Sequence, residues 1–296
     1  MSDRELLVVE KVNKKYKDFS LKDISFTLPG GYILGLIGKN GAGKTTLMNC
    51  IIGTIPYRGK ISVEGAVNTL HARSATEKVG FIVEDAPFFK KETLEKNGEL
   101  LGTLYEDWDE KKFHSYLKKM ELHCDTVYEE LSKGMETKFQ LAFALAHSPR
   151  LLILDEPTGG LDPVFRKSFL KILQDVVNEE MLSVIISTHL TTDLDKVADY
   201  VMLLDDGKIV FYEDKETLSD KYPLISGNTE VLSKIPKNTY KRVNRKGNVF
   251  HTVLSDTAYL VNHPEVAEKV QAERTNLEEI MYYLCAPSIL TSKEAD

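Results

Sequence analysis

A glycine-rich segment that ends in a lysine and a threonine could bind a phosphorylated ligand. Residues 38–45 have the sequence GKNGAGKT, which matches the pattern GxxxxGK followed by Ser or Thr. In such a loop the glycines let backbone N–H groups surround phosphate oxygens, the lysine charge reaches the β and γ phosphates, and the hydroxyl can bind Mg²⁺. The segment therefore predicts a phosphate loop. Its candidate ligands are Gly38, Lys39, Asn40, Gly41, Ala42, Gly43, Lys44, Thr45 and Thr46.

Two adjacent acids, Asp155 and Glu156, follow the apolar run of residues 151–154. Side chains alternate along a strand, so neighbouring acids at its end point in different directions. Asp155 can then hold Mg²⁺ while Glu156 faces an attacking water. A general base in that position contributes roughly 10²- to 10⁴-fold in rate. An acidic strand end without a catalytic role is the less favoured interpretation.

A third segment, LSKGM at residues 131–135, precedes a helical pattern at residues 137–146. Ser132 is a favourable N-cap residue. Taken alone, the segment therefore predicts the start of a helix as strongly as it predicts a functional motif.

The elements around these segments predict an α/β nucleotide-binding core. The apolar run at residues 32–37 leads into the glycine-rich loop, and a helix is predicted at residues 44–52. Residues 151–154 and 184–187 have the composition of buried parallel strands, and residues 163–180 predict the crossover helix between them.

Three further regions complete this first domain. Residues 1–30 alternate in polarity and predict an antiparallel edge sheet. Residues 87–150 carry apolar residues at helical spacing and predict an α-helical insert. The sequence Asp-Asp-Gly at residues 205–207 predicts a hairpin turn that closes the core. The first domain is expected to span residues 1–220.

Residues 221–296 predict a small α+β accessory domain. Two β-like runs, at residues 239–243 and 249–254, precede a helix. Thr275 and Glu278 are predicted to form the capping box of that helix. Its apolar positions follow the spacing i, i+3, i+4 and i+7 and are Leu277, Ile280, Met281 and Leu284.

Composition and charge restrict the class of protein. Acidic residues outnumber basic ones 45 to 38, for a net charge of −7, which argues against a surface adapted as a whole to nucleic acid. The longest apolar runs are far shorter than the roughly 20 residues that cross a bilayer. The N-terminal residues lack a signal-peptide pattern, and Cys50, Cys124 and Cys285 are widely spaced. A cytoplasmic protein is predicted.

Taken in their order, the segments resemble the ATP-binding cassette (ABC) ATPase family from about residue 5 to residue 220. GKNGAGKT resembles the family's phosphate loop, LSKGM its signature and LLILDE its magnesium-binding strand. Tyr16 resembles the aromatic residue that stacks on adenine, Asp162 lies in a segment similar to the dimer-contact loop, and His189 resembles the switch histidine that contacts the γ-phosphate. The resemblance implies a P-loop NTPase core with an antiparallel β subdomain and an α-helical insert, and ATP and Mg²⁺ as cofactors.

The resemblance also implies roles for individual residues. Lys44, Glu156 and His189 are the expected catalytic residues. Ser132 and Gly134 match the positions that the family uses against the γ-phosphate of ATP bound to a partner subunit.

Two positions depart from the family's pattern. The signature is usually LSGGQ, and Lys133 and Met135 replace two of its residues. The family's glutamine loop falls at residues 83–85, where Glu84 stands in place of glutamine. A carboxylate there can still reach Mg²⁺, directly or through water, but it adds negative charge to the site. The metal ligands that the resemblance implies are Thr45, Glu84 and Asp155.

The family's mode of action implies partners as well. Such ATPases form head-to-tail dimers that enclose two ATP molecules, so a second ATPase subunit, either a copy of this chain or a paralogue, is expected. A membrane-spanning transporter subunit is the expected second partner, and it would hold the chain at the inner face of the cell membrane. Residues 108–113 and 144–149 and the LSKGM signature resemble the subgroup of drug and peptide exporters. Direct binding of nucleic acid is not expected.

Two alternatives remain open at this point. One is a soluble ABC-type ATPase that acts on ribosomes or nucleic acid. The other alternative is that the C-terminal tail, residues 221–296, is a basic module that binds nucleic acid or lipid headgroups. It depends on residues 231–250, which contain no acidic residue. The basic residues of this segment are Lys234, Lys237, Lys241, Arg242, Arg245 and Lys246. A solvated hairpin is the favoured interpretation of that segment.

Overall fold

The computed structural model describes residues 5–67, 77–83 and 86–285. Glu84, one of the predicted metal ligands, lies outside these residues. The described strands form three sheets, with helices packed around them. This arrangement confirms the predicted α/β class.

The strands and helices are numbered in chain order. The described strands are β1 (Glu5–Lys15), β2 (Ser20–Pro29), β3 (Ile33–Ile37), β4 (Arg58–Val63), β5 (Ala66–Val67), β6 (Val79–Ile82), β7 (Leu151–Asp155), β8 (Ser183–Ser187), β9 (Tyr200–Asp205), β10 (Lys208–Asp214), β11 (Leu224–Asn228), β12 (Asn244–Lys246), β13 (Val249–Val253) and β14 (Val270–Glu273). The described α-helices are α1 (Lys44–Ile52), α2 (Leu94–Gly102), α3 (Glu110–Lys119), α4 (Lys133–Ala146), α5 (Pro163–Glu180), α6 (Thr191–Val197), α7 (Lys215–Lys221), α8 (Thr229–Leu232), α9 (Ala258–Asn262), α10 (Pro264–Ala267) and α11 (Leu277–Leu284).

The central sheet has the strand order β10-β9-β3-β8-β7-β6. Its strands pair in parallel except for the β9–β10 hairpin, which turns at residues 206–207 as predicted. All five residues of β3 and of β8 are buried, which explains why these strands are continuous apolar runs. Because parallel strands end at the same edge, the loops after β3, β7 and β8 meet there.

The second sheet is antiparallel and has the order β2-β1-β4-β5. Residues on β1 and β2 alternate between buried and exposed positions over much of their length. This pattern confirms the edge sheet predicted from residues 1–30.

The central sheet separates two hydrophobic cores. The core on one face contains Leu34 and Leu36 of β3 together with Leu47 and Ile51 of α1 and the antiparallel sheet. The core on the other face contains residues of α4, α5, α6 and α11. Alternate residues of β3 therefore contribute to different cores, as a strand buried on both faces requires.

The predicted helical insert is built from α2, α3 and α4. Two glycines of α2 allow a close approach to aromatic rings. A Cβ at Gly98 would lie 2.4 Å from the Phe113 ring, and one at Gly102 would lie 2.4 Å from Trp108. These contacts fix α2 against the start of α3.

His147 is a buried histidine at the end of α4. Its ring is only 2% exposed and stacks on Tyr105 with the ring centroids 4.1 Å apart. Burial lowers the pKa of its imidazole from 6.5 to about 4, because the charged form would lose its hydration. The folded protein therefore keeps this histidine neutral at pH values where an unfolded chain protonates it.

This difference predicts acid sensitivity. As pH falls from 6.5 to 4, the unfolded chain binds a proton at His147 that the folded chain does not, so the free energy of unfolding falls by up to about 3 kcal/mol from this group. We expect His147→Phe to remove that part of the pH dependence, measured by urea unfolding at a series of pH values. His123→Phe, at an exposed histidine, is the control. Identical acid dependence in wild type and His147→Phe would contradict the prediction.

The third sheet, with the order β12-β13-β11-β14, is formed by the tail. The strand predicted at residues 239–243 is wrong in position, since β12 begins at Asn244. Residues 237–239 instead form a 3₁₀ turn in which the backbone N–H and the hydroxyl of Thr239 both donate to the Pro236 carbonyl. The second predicted strand is confirmed as β13.

The predicted helix at the end of the tail is confirmed as α11, but its predicted capping box is wrong by one residue. Asn276 accepts from the Glu279 N–H at 2.9 Å, and Glu279 accepts from the Asn276 N–H at 3.0 Å. The Thr275 hydroxyl donates instead to the Tyr222 carbonyl at 2.6 Å. The Thr275 hydroxyl, which the sequence pattern predicts to cap the helix, therefore makes a tertiary hydrogen bond instead.

No helix within the described ranges has both the length and the apolar character that crossing a bilayer requires.

Candidate active site

The glycine-rich loop connects β3 to α1, as the sequence predicts. Gly38 has φ +154°, and a Cβ there would lie 2.3 Å from the Leu204 carbonyl oxygen. Gly43 precedes α1 with φ +108°, in the left-handed region that favours glycine. Larger residues at either position would strain the loop, so the glycines fix its path around a space at the helix N-terminus.

Lys44 is buried at the first position of α1. Its Nζ donates to the carbonyl oxygen of Gly38 at 2.8 Å and lies 3.4 Å from that of Lys39. The ammonium group thus lies inside the phosphate loop. There it can exchange its contacts with carbonyl oxygens for contacts with phosphate oxygens.

Asp155, at the end of β7, joins the phosphate loop to β8. Its Oδ2 accepts from the Thr45 hydroxyl at 2.7 Å, and its Oδ1 accepts from the Ser187 hydroxyl at 2.5 Å. Thr45 and Asp155, two of the predicted metal ligands, are therefore in direct contact. A hydroxyl and a carboxylate oxygen are hard donors of the kind that Mg²⁺ prefers, so the residues present fit this ion.

Glu156 directly follows β7 in an unusual backbone conformation. Its φ of +49° lies in the left-handed region, which is uncommon for a residue other than glycine. Its backbone N–H donates to the Ser187 hydroxyl at 3.0 Å. Its Oε2 lies 2.8 Å from Nδ1 of His189 and accepts from the His189 backbone N–H at 3.3 Å. The predicted base and the predicted switch histidine are thus hydrogen-bonded to each other.

A buried carboxylate fixes the segment that follows Glu156. Asp193 of α6 is 1% exposed, and its Oδ2 accepts from the Thr158 hydroxyl at 3.0 Å. The Arg166 Nε lies 3.5 Å from its Oδ1. Asp193 therefore ties α6 to the loop after β7 and to α5.

Ser132, Gly134 and Asp162 lie at the starts of two helices. Ser132 caps α4, with its hydroxyl accepting from the Met135 N–H at 3.3 Å. Asp162 caps α5 and accepts from two backbone N–H groups at 3.0 Å. Gly134 is buried against the Phe165 ring, which a Cβ would approach to 2.9 Å. The N-cap interpretation of Ser132 is confirmed, and the two helix starts pack together.

Two cavities adjoin these residues. One, of about 430 Å³, is lined by the phosphate loop, Asp155, Glu156 and Phe19. The other, of about 280 Å³, is lined by Lys133 of α4 and by residues from the phosphate loop and the ends of β6 to β8. Tyr16, the predicted adenine-stacking residue, is 45% exposed, and the Lys14 Nζ lies 5.1 Å from its ring centroid. Tyr16 is not among the residues that line either cavity, and the Lys14 ammonium group lies over one face of its ring.

Three residues near the site, Ser187, Asp193 and Phe19, are not part of any motif that the sequence analysis identifies. Ser187 is visible in the sequence only as a polar end to an apolar strand, and its contact with Asp155 depends on the pairing of β7 with β8. Asp193 lies in an ordinary helical pattern. Phe19 lies within hydrophobic contact of Gly43, and its proximity to the loop is set by the path of β2.

Known proteins are similar to this chain over most of its length. The family model described as ABC transporter matches residues 21–159. The ABC transporter ATP-binding protein YtrB of Bacillus subtilis (strain 168) is 30% identical over an alignment of 267 residues, and the match covers 88% of this chain and 91% of YtrB. The lantibiotic transport ATP-binding protein SrtF of Streptococcus pyogenes is 31% identical over an alignment of 224 residues, and the match covers 73% of this chain and 96% of SrtF.

A solved structure of the ATP-binding subunit of an ABC transporter has the same fold. Its TM-score is 0.66 at 26% identity, and the match covers 73% of this chain and 92% of that structure. The chain belongs to the family of ABC transporter ATP-binding proteins. It is an ATP-binding subunit of an ABC transporter and an ATPase. The comparisons do not favour the alternative of a soluble ATPase that acts on ribosomes or nucleic acid.

Proposed function

We propose that this chain hydrolyses Mg²⁺-bound ATP between its phosphate loop and the signature of a second subunit, and that it powers a membrane-spanning exporter of drugs or peptides. The observation that carries the catalytic part is the hydrogen-bonded chain from Thr45 through Asp155 and Ser187 to Glu156 and His189. The proposed metal-binding pair and the proposed base are thus linked by hydrogen bonds beside the phosphate loop, which supports these roles.

Each of these residues has a distinct proposed task. Lys44 binds the β and γ phosphates, and Thr45 and Asp155 hold the metal. Mg²⁺, when bound, neutralises phosphate charge and orients the γ-phosphoryl group. Glu156 orients a water and accepts its proton as the water oxygen bonds to the γ-phosphorus, while the bond from the γ-phosphorus to the β,γ-bridging oxygen breaks and ADP leaves. His189 fixes the Glu156 carboxylate through the 2.8 Å contact and also contacts the γ-phosphate.

The remaining nucleotide contacts are proposed on the same basis. The backbone N–H groups of residues 39–46 surround the phosphates at the N-terminus of α1, whose dipole favours negative charge. The Tyr16 ring stacks on the adenine. Ser132 and Gly134 bind the γ-phosphate of the ATP held by the other subunit, and Asp162 lies at the contact between the subunits. Glu84 completes the metal ligands.

The exporter assignment rests on similarity. SrtF is a lantibiotic transport protein, and the match covers almost all of its length. The subunit is proposed to act at the inner face of the cell membrane, held there by the membrane-spanning partner. We further propose residues 1–220 as the ATPase domain and residues 221–296 as an accessory domain.

The membrane partner can be tested by purification. We expect the tagged full-length chain, purified from detergent-solubilised cells, to retain a multi-spanning membrane protein, identified by mass spectrometry. Recovery of ribosomal proteins and no membrane protein would overturn the transporter assignment.

The two-subunit site predicts a specific effect of Ser132→Ala. The variant loses a hydrogen bond to a charged phosphate at each of two sites, and such a bond contributes about 1.5–3 kcal/mol. We expect ATP-dependent dimerisation, measured by analytical ultracentrifugation in a Glu156→Gln background, to weaken by at least about tenfold.

Ser132 also caps α4, so the control must lose a cap elsewhere. Thr93→Ala removes the N-cap hydrogen bond of α2, at 3.1 Å from the Lys96 N–H, without touching the signature. We expect that variant to dimerise like the parent protein. Equal dimerisation of Ser132→Ala and Thr93→Ala would argue against the shared ATP site.

A further inference from the structure

The last described helix, α11, belongs to the core of the ATPase rather than to a core of the tail. Leu277, Ile280 and Leu284 are at most 3% exposed. They share one continuous hydrophobic cluster with Leu194 and Val197 of α6, and α11 packs directly against α6 and β13. Removing α11 from this position would expose the outer side of α6.

Most of the tail packs in a different way. Ile225, Phe250 and Val266, from β11, β13 and α10, form part of a separate cluster with other tail residues. The tail therefore contains an independent small core and one helix that is inserted into the ATPase core.

The helix that α11 covers is connected to the catalytic residues. α6 begins two residues after His189. Its Asp193 binds Thr158 and Arg166, and Thr158 lies two residues after Glu156. Leu194, the next residue, fills the space beside Gly35 of β3, where a Cβ would be 2.7 Å from the leucine side chain. The position of α6 thus sets the position of both loops that carry Glu156 and His189.

The phosphate loop is connected to the other core. Leu47 and Ile51 of α1 pack on the opposite face of the central sheet, in the cluster that contains neither α6 nor α11. A cavity at Ile280, which lies in the cluster shared with α6, should therefore affect His189 and Glu156 more directly than the nucleotide-binding loop. The end of α11 differs in this respect, because the Cys285 thiol lies near enough to Lys39 of that loop to interact with its charge.

Several contacts hold α11 firmly on this surface. Its N-terminus is fixed by the Asn276–Glu279 capping box and by the bond from Thr275 to the Tyr222 carbonyl. The Arg242 guanidinium lies 4.3 Å from the Tyr282 ring centroid, so part of the basic tail segment rests on the outer side of the helix. Movement of the segments that carry Arg242 and Tyr222 would be transmitted to α11 through these contacts.

We infer that α11 is a positioning element for His189 and Glu156, through which the C-terminal tail sets the rate of ATP hydrolysis without setting ATP affinity. Ile280 and Leu284 are the residues that transmit this effect through α6. The inference rests on the proposed catalytic roles of Glu156 and His189.

The test compares two isoleucines of equal burial in the full-length chain. Ile280→Ala opens a cavity in the core shared with α6, and Ile225→Ala opens one in the separate tail core; both residues are 0% exposed. We expect Ile280→Ala to lower kcat about tenfold, since small misplacements of catalytic groups carry costs of this order, with KM for ATP within about twofold of wild type. Ile225→Ala should keep both values near wild type.

A second measurement separates positioning from general destabilisation. Hydrogen exchange at residues 189–197 should become faster in Ile280→Ala and stay unchanged in Ile225→Ala. Ile280→Val, a smaller truncation, should give the same kcat effect at reduced size if Ile280→Ala does not fold. Equal kcat in the Ile280 and Ile225 variants, or a change in KM without a change in kcat, would overturn the inference.

Failure of the inference is distinguishable from failure of the proposed mechanism. If Glu156→Gln abolishes turnover while Ile280→Ala leaves kcat unchanged, only the positioning role of α11 is wrong. If Glu156→Gln turns over like wild type, the catalytic assignment itself is wrong and the inference falls with it.

Discussion

Glu156→Gln is expected to lower ATP turnover by roughly 10²- to 10⁴-fold while the protein still binds ATP and dimerises. The substitution keeps the shape of the side chain and an oxygen that can accept from the His189 N–H, as Glu156 Oε2 does at 3.3 Å. The left-handed backbone at this position is also retained. What is lost is the basic carboxylate that accepts a proton from the attacking water.

The matched control for this variant is Glu136→Gln. Glu136 of α4 lines the same cavity of about 280 Å³, so its replacement removes the same charge from the same space. It has no role in the proposed proton transfer, so we expect turnover within about threefold of wild type, far from the roughly 10²- to 10⁴-fold loss expected when a general base is removed. Phosphate release and ATP-induced dimerisation should be measured side by side. Brisk hydrolysis by Glu156→Gln would remove Glu156 from the role of base.

The sequence was sufficient to predict much of the core, because its signals are local. The helices at residues 44–52 and 163–180 have the predicted bounds, and the phosphate loop lies between β3 and α1 as expected. An apolar run, a glycine loop and a capped helix each depend on neighbouring residues only. Their order along the chain then indicates the family.

The contacts that complete the site depend on residues far apart in the sequence. Ser187 reaches Asp155 because β8 pairs with β7 in one particular register, and Asp193 reaches Thr158 because α6 crosses the loop after β7. Neither serine nor aspartate is unusual in its local pattern. Such contacts cannot be predicted from periodicity, since they arise only when strand order is known.

The tail illustrates the same limit in another way. The spacing of Ile280 and its apolar neighbours predicts the helix, yet spacing does not specify which surface a helix covers. The local pattern predicts that Thr275 caps the helix, whereas in the fold its hydroxyl donates to the Tyr222 carbonyl. The packing of α11 on α6 is therefore information that only the structure provides.

Lys44→Ala is expected to weaken ATP binding by at least about a hundredfold and to abolish measurable turnover. Lys44 is buried at the start of α1, and its ammonium group lies inside the loop at 2.8 Å from the Gly38 carbonyl oxygen. A charge-assisted bond lost in a site shielded from water has an effect of about 1.5–3 kcal/mol, and Lys44 makes more than one such contact with the β and γ phosphates.

Lys39→Ala provides the comparison on the same loop. It removes an equal charge, but the contribution expected from residue 39 is its backbone N–H, which alanine retains. We expect ATP affinity, measured by isothermal titration calorimetry with Mg²⁺ present, to change by less than about fivefold, because a charge at the rim of a site is screened by solvent. If both variants lost affinity equally, the net charge of the loop, rather than the placement of Lys44, would determine binding. A large difference between them would show that the backbone path fixed by Gly38 and Gly43 places one particular ammonium group where the phosphates bind.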